Sequence, residues 1–177
     1  MLCVSNVPMP MSVYVWTSKI LNKHILSNGT EKKSWIFCCS KGYWVTDFSK
    51  LNITSALLGL KNKDFKSVEL TEYFINQINK KQNLNCFITK TFDKAIDMAK
   101  KSDEKIVKNR ELGSLEGIPI GMKDLFCTKD IRTTAGSKIL DSFIPFYEST
   151  VSQNLWDSGS VMLGKSNLDE FAMGSAN

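Results

Sequence analysis

A chain of 177 residues, 42% hydrophobic and 23% charged, is long enough to bury one real core, and no apolar run approaches the ~20 residues of a membrane-spanning helix. Its formal charge of +5 is unevenly placed: residues 1–50 carry six Lys against Glu31 and Asp47, whereas residues 51–177 carry 17 basic and 16 acidic side chains. The main body is therefore close to neutral, and neither part has the Arg-rich, aromatic-interleaved pattern of a nucleic-acid surface.

The first 50 residues hold three of the four Trp, three of the five Cys and two of the four Pro, without sustained helical or strand periodicity. Residues 1–30 have no acid and resemble an organellar transit peptide faintly, but they lack Arg and a clear amphipathic helix. The expectation is an extension over 1–50 of unknown role. Cys3, Cys38, Cys39, Cys86 and Cys127 form no C-x-x-C pair, and His24 is the sole histidine, so no metal site is expected and a reducing compartment is the simplest reading. The sequons at Asn28 and Asn52 carry no meaning without secretion.

From Leu51 the pattern becomes regular. Thr54 or Asn52 is placed to cap a short helix through Leu60, and Ser67 to cap a second, with Leu70, Phe74 and Ile78 along one face and Glu69 in the first turn. Leu84 to Thr89 reads as a strand, and Thr91 opens a long helix with Phe92, Ala95, Ile96 and Ala99 inward, ending near Asn109 to Gly113. Leu115 to Phe126 follows, an apolar, glycine-spaced strand carrying one lysine, Lys123. A lysine there must pair, lose its proton or reach solvent, and Asp124, pointing to the opposite face of an extended segment, is a poor partner for it. A lysine able to work neutral suits a general base. Cys127 to Ser137 reads as a loop, Tyr147 to Asp157 as a helix with Val151 and Leu155 on one face, and Ser160 to Gly164 as a second apolar strand. This order predicts an α/β fold with a mixed, mostly parallel sheet flanked by helices.

Two motifs compete for function. Gly159 to Ser166 satisfies the G-x-x-x-x-G-K-[ST] phosphate-loop pattern, but the predicted helix precedes it and Val161, Met162 and Leu163 read as strand, so the two glycines do not form one cradle. A Ser-His-Asp triad is disfavoured by the absence of a G-x-S-x-G elbow. A Ser–Lys arrangement stays open, with Ser137, Ser166 and Ser175 as loop serines for which capping is the ordinary role.

Gly117-Ile-Pro-Ile-Gly-Met-Lys-Asp124 resembles the lysine motif of the amidase-signature hydrolases. Leu125 to Ser137 and Gly164 to Ser175 look like blocks of that family's branch serving glutamyl-tRNA(Gln) amidotransferase, where it is the glutaminase (A-type) subunit. The resemblance covers 51–177, which is expected to be the N-terminal part of an amidase-signature domain, while 1–50 has no recognised counterpart. It implies a Ser–cis-Ser–Lys relay with Lys123 as general base, and a serine nucleophile that attacks the carboxamide of glutamine and releases ammonia. Met173, Gly174 and Ser175 are expected to line the substrate site. No cofactor is expected on this chain. The resemblance implies that ATP and Mg are used by a partner subunit, that B- and C-type subunits are partners, and that Glu-tRNA(Gln) is reached through the complex, without a membrane. It implies the cytoplasm in a bacterium and a mitochondrion or plastid in a eukaryote. The family's Ser-rich segment lies beyond Ser175 and is not among the 177 residues, so the chain alone is expected to be inactive. The alternatives are a general amidase acting on another amide, or a non-catalytic truncated product.

Overall fold

A computed structural model describes the backbone of Trp35–Cys38 and Tyr43–Thr46 and all of residues 47–174. The readings on residues 1–30, on Cys3, His24 and Cys39, and on Ser175 lie outside the described residues. The chain divides into two compact units, Met1–Val45 and Thr46–Asn177. Within residues 1–50, where no strand is expected, β1 (Trp35–Cys38) and β2 (Tyr43–Thr46) pair as a two-stranded sheet. Four-residue strands are too short to show a period in sequence.

The second unit begins with α1 (Ile53–Lys61). Asn52, not Thr54, caps it: its Oδ1 accepts from the Ser55 amide at 2.8 Å while Ser55 Oγ accepts from the Asn52 amide at 2.9 Å, satisfying two amides that helix geometry leaves orphaned. In α2 (Ser67–Lys80) Ser67 is the first helical residue, not the cap. Asp103, 36 positions on, takes that role, its carboxylate accepting from the amides of Ser67 (2.7 Å) and Val68 (3.2 Å). Ser67 Oγ instead donates to the Gly117 carbonyl at 2.8 Å. A local cap is legible from neighbouring letters; a cap reaching across from another helix is not.

After β3 (Phe87–Lys90) comes α3 (Phe92–Val107), whose Ala95 and Ala99 are completely buried. Their small side chains let α3 lie close against β5 (Val161–Ser166), the middle strand of the order β3–β5–β4, with β4 spanning Pro119–Lys123. β4 runs parallel to β5 and β3 antiparallel, giving a mixed sheet. Between β4 and β5 lies α4 (Thr150–Asp157), capped by Ser149. Val151 faces outward rather than into the core. Ser152 is the buried residue of α4, its hydroxyl 3.0 Å from the Cys127 carbonyl and 2.6 Å from the Glu148 carboxylate.

Three apolar clusters hold these elements. Ala56, Leu60, Phe65, Leu70, Ile106 and Ile118 join the first three helices to the approach of β4; truncating a fully buried Leu60 to Ala would cost about 2–5 kcal/mol. Val161 and Leu163 pack with Ala95 and Ala99 on one face of the sheet. On the other, Met162 packs with Met122 and Ile131, flanked by Phe126, Leu155 and Trp156. Beneath the approach to β4, Glu116 is buried and accepts from Ser102 Oγ, the Gly113 amide (3.1 Å) and Lys105 Nζ (3.3 Å). A Cβ on Gly159, which has φ +83°, would collide with that carboxylate, so this turn admits only glycine.

Candidate active site

β4 and β5 carry one lysine each near their carboxyl ends, the edge of a parallel pair where α/β proteins place their chemistry. The two lysines have opposite environments. Lys123 reaches solvent, and its Nζ makes no hydrogen bond or ion pair among the described residues. Of the three outcomes open to a lysine in this strand, exposure is the one realised. Asp124 points the other way and is fully buried, as alternation along an extended chain requires. Lys123 lies beside Ser166 in the parallel register, but Ser166 Oγ is directed to the Met122 carbonyl at 3.4 Å.

Lys165 is the buried cation, with no accessible surface. Its three ammonium protons meet three acceptors: the Phe126 carbonyl at 2.5 Å, Thr133 Oγ1 at 2.9 Å and Thr128 Oγ1 at 3.2 Å. Asp124 Oδ1 stands at 3.6 Å, while its Oδ2 accepts from the amide (2.9 Å) and hydroxyl (2.5 Å) of Thr134. Burial pushes the Lys165 ammonium below the ordinary lysine value of 10.5; the Asp124 carboxylate pulls the other way, with smaller help from Cys127 and Glu148.

A β-bulge aims Lys165 into this nest. Strict alternation would send it to the face of Leu163, against Ala95 and Ala99. The register instead shifts by one between Ile120 and Gly121, so that Ile120 partners Met162 while Gly121 partners Gly164. Lys165 then stands beside Met122 and turns to the opposite face. At the bulge the β3 backbone comes so close that a Cβ on Gly164 would lie 2.5 Å from the Thr89 carbonyl.

The phosphate-loop match is therefore built as strand: β5 continues through Gly164, Lys165 and Ser166, two residues beyond its expected end, and Lys165 faces the protein interior. The segment Cys127 to Ser137 is a loop as expected, yet Thr128, Ile131, Thr133, Thr134, Ala135 and Ser137 are all buried because the loop is the wall around Lys165. Ser137 accepts from the Ile139 amide (3.2 Å) and donates to Glu170 (2.5 Å), a turn-capping role. Met173 and Gly174 are exposed beyond a turn at Glu170–Ala172 in which Phe171 and Ala172 take left-handed backbone conformations; Ser175 lies outside the described residues. In the sequence Lys165 figures only as the lysine of the phosphate-loop match, with no role expected of it once that match is set aside. The available signal is that an apolar segment predicted to sit inside a sheet is covered on both faces, so a lysine continuing it has no route to water.

A parallel strand pair ending in lysines, a buried Asp–Lys pair beneath it and helices around it define an α/β domain. Residues 69–177 match the family model described as Amidase, and the chain belongs to that family. Two curated relatives each carry the name of the A-type component of glutamyl-tRNA(Gln) amidotransferase: one from Hyphomonas neptunium is 55% identical and one from Rickettsia bellii 56% identical, in both cases over 133 residues, 75% of this chain and 27% of the relative. The chain thus spans about a quarter of the length of these relatives. Among solved structures, the native peptide amidase of Stenotrophomonas maltophilia superposes with a TM-score of 0.66 at 27% identity, covering 71% of this chain and 26% of the other. A bacterial aryl acylamidase of the amidase-signature family superposes at 0.64 with 25% identity, covering 68% and 26%.

Proposed function

We propose that residues 51–177 are the N-terminal part of an amidase-signature domain in the A-type, glutamine-hydrolysing component of a tRNA-dependent amidotransferase. In this reading they furnish the lysine of a Ser–cis-Ser–Lys relay. Lys123 is the base: it takes the proton of a bridging serine, which activates a nucleophilic serine, and both serines come from sequence outside these 177 residues. The nucleophile attacks the carboxamide carbon of glutamine, the C–N bond breaks, ammonia leaves, and water hydrolyses the acyl-enzyme. Ammonia then passes to B- and C-type partner subunits, which use ATP and Mg to amidate Glu-tRNA(Gln). Met173, Gly174 and Ser175 border the glutamine site.

The observation that carries this reading is the exposure of Lys123 at the carboxyl end of β4, within residues that match the amidotransferase relatives at 55–56% identity but general amidases at 25–27%. That gap favours the amidotransferase over an amidase acting on another substrate. Segment exchange tests it: the matching segment of the Hyphomonas neptunium relative is replaced by residues 51–177 of this chain, and ammonia release from glutamine is measured in the assembled complex. The chimera is expected to be active, and Lys123→Met to reduce its kcat by about 10²- to 10⁴-fold. A folded chimera that releases no ammonia, or one indifferent to Lys123→Met, would refute the assignment.

A further inference from the structure

We propose that Lys165 is a positioning residue for Lys123, clamping the turn that follows β4 and thereby fixing where the Lys123 side chain leaves the sheet. The inference rests on the reading of Lys123 as the base and names the residue that holds it.

The connection is short and continuous. β4 ends at Lys123, and the chain reverses at once in a turn closed by the Phe126 amide donating to the Lys123 carbonyl at 3.1 Å. The carbonyl of that same Phe126 receives the Lys165 ammonium at 2.5 Å. Asp124, the first residue of the turn, is held from three sides: its amide donates to the Ser166 carbonyl at 3.1 Å, its carbonyl accepts from the Ala135 amide at 3.0 Å, and its carboxylate faces Lys165. The turn is therefore tied at both ends to residues 165 and 166 of β5, and Thr128 and Thr133 hold the ammonium in place from behind.

Stability alone does not account for this arrangement. A buried ion pair is commonly no better than well-packed apolar side chains of the same volume, and methionines already fill the adjoining positions, Met122 and Met162. What a methionine at 165 could not do is hold the Phe126 carbonyl in one direction. Nor could it offer an ion-pair partner to the buried carboxylate of Asp124, the first residue of the same turn.

Two readouts on the 177-residue chain, carrying Ile139→Lys and Phe146→Glu to limit self-association through its exposed apolar surface, separate positioning from mere support. The first is the backbone order of Lys123 to Phe126 at neutral pH, followed by amide NMR relaxation. In Lys165→Met it is expected to fall while that of Val161 to Leu163 holds. Unchanged order at Lys123 to Phe126 in a folded Lys165→Met chain would overturn the proposal. The second keeps the charge and loosens the clamp, in case the first variant does not fold. Thr128→Val with Thr133→Val is expected to speed hydrogen exchange at the Phe126 amide at least tenfold more than at Met162. Equal acceleration at both amides would mean general destabilisation only, and would also overturn it. Neither readout uses glutamine, so a failure here is distinguishable from a failure of the proposed reaction, which the chimera tests.

Discussion

Lys123 and Asp124 are neighbours in sequence and occupy opposite worlds, one in water and the other without accessible surface. Alternation along an extended chain makes that separation legible in advance. The fate of Lys165 is not legible, because it depends on a one-residue register shift between two strands far apart in sequence. At this scale the pair has a pH signature. The native Lys165 ammonium titrates below 10.5 because it is buried. Between that lowered value and 10.5 the unfolded chain holds the extra proton, so native stability rises with pH through the window and falls as pH drops back through it. Urea unfolding at a series of pH values should show the wild type gaining on Lys165→Met as pH approaches 10.5; parallel curves would contradict it. Gly164 offers a steric test. An alanine there would press its Cβ onto the Thr89 carbonyl, and Gly164→Ala should cost roughly 2–3 kcal/mol in denaturant unfolding, in the range of overpacked core substitutions.

Elements from Leu51 onward follow the order their periodicity predicts, and their ends are where local and distant chemistry part company. α1 is capped by Asn52 and Ser55, three positions apart, within reach of any local pattern. α2 is capped from α3 by Asp103, and Ser67, the residue that looks like the cap, is engaged with Gly117. Asp103→Ala should therefore lower stability by about 1–2 kcal/mol, seen as a fall in Tm, whereas a cap by Ser67 itself would make the substitution nearly neutral. α4 shows a further divergence. Its spacing of Val151 and Leu155 suggests one buried stripe, but Val151 is exposed and the helix is anchored through Ser152 to the Cys127 carbonyl.

Across the molecule, the stretch between Ile139 and Val151 presents Ile139 and Phe146 at 80% and 83% exposure, with Ile144, Tyr147 and Val151 also open. Among the described residues β3 and β4 are the unpaired edges of the three-stranded sheet. Apolar surface and free strand edges together favour self-association. The purified 177-residue chain is expected to oligomerise at micromolar concentration, and Ile139→Lys with Phe146→Glu to reduce that by light scattering. A monomeric wild-type preparation melting cooperatively would count against it. Among the described residues no helix is long and apolar enough to cross a membrane, so this surface does not belong to a spanning helix.

The amino-acid sequence alone determined the succession of helices and strands from Leu51, the neutral main body and the lysine block at Gly117 to Asp124. All of these depend on near neighbours: hydrophobic period, turn residues and capping at three or four positions. Tertiary structure alone decided which lysine is buried, which acid caps α2, and that the polar segment after Cys127 becomes interior. Each of these turns on contacts between residues tens of positions apart, where a single bulge at Gly164 reverses which face of the sheet a side chain occupies.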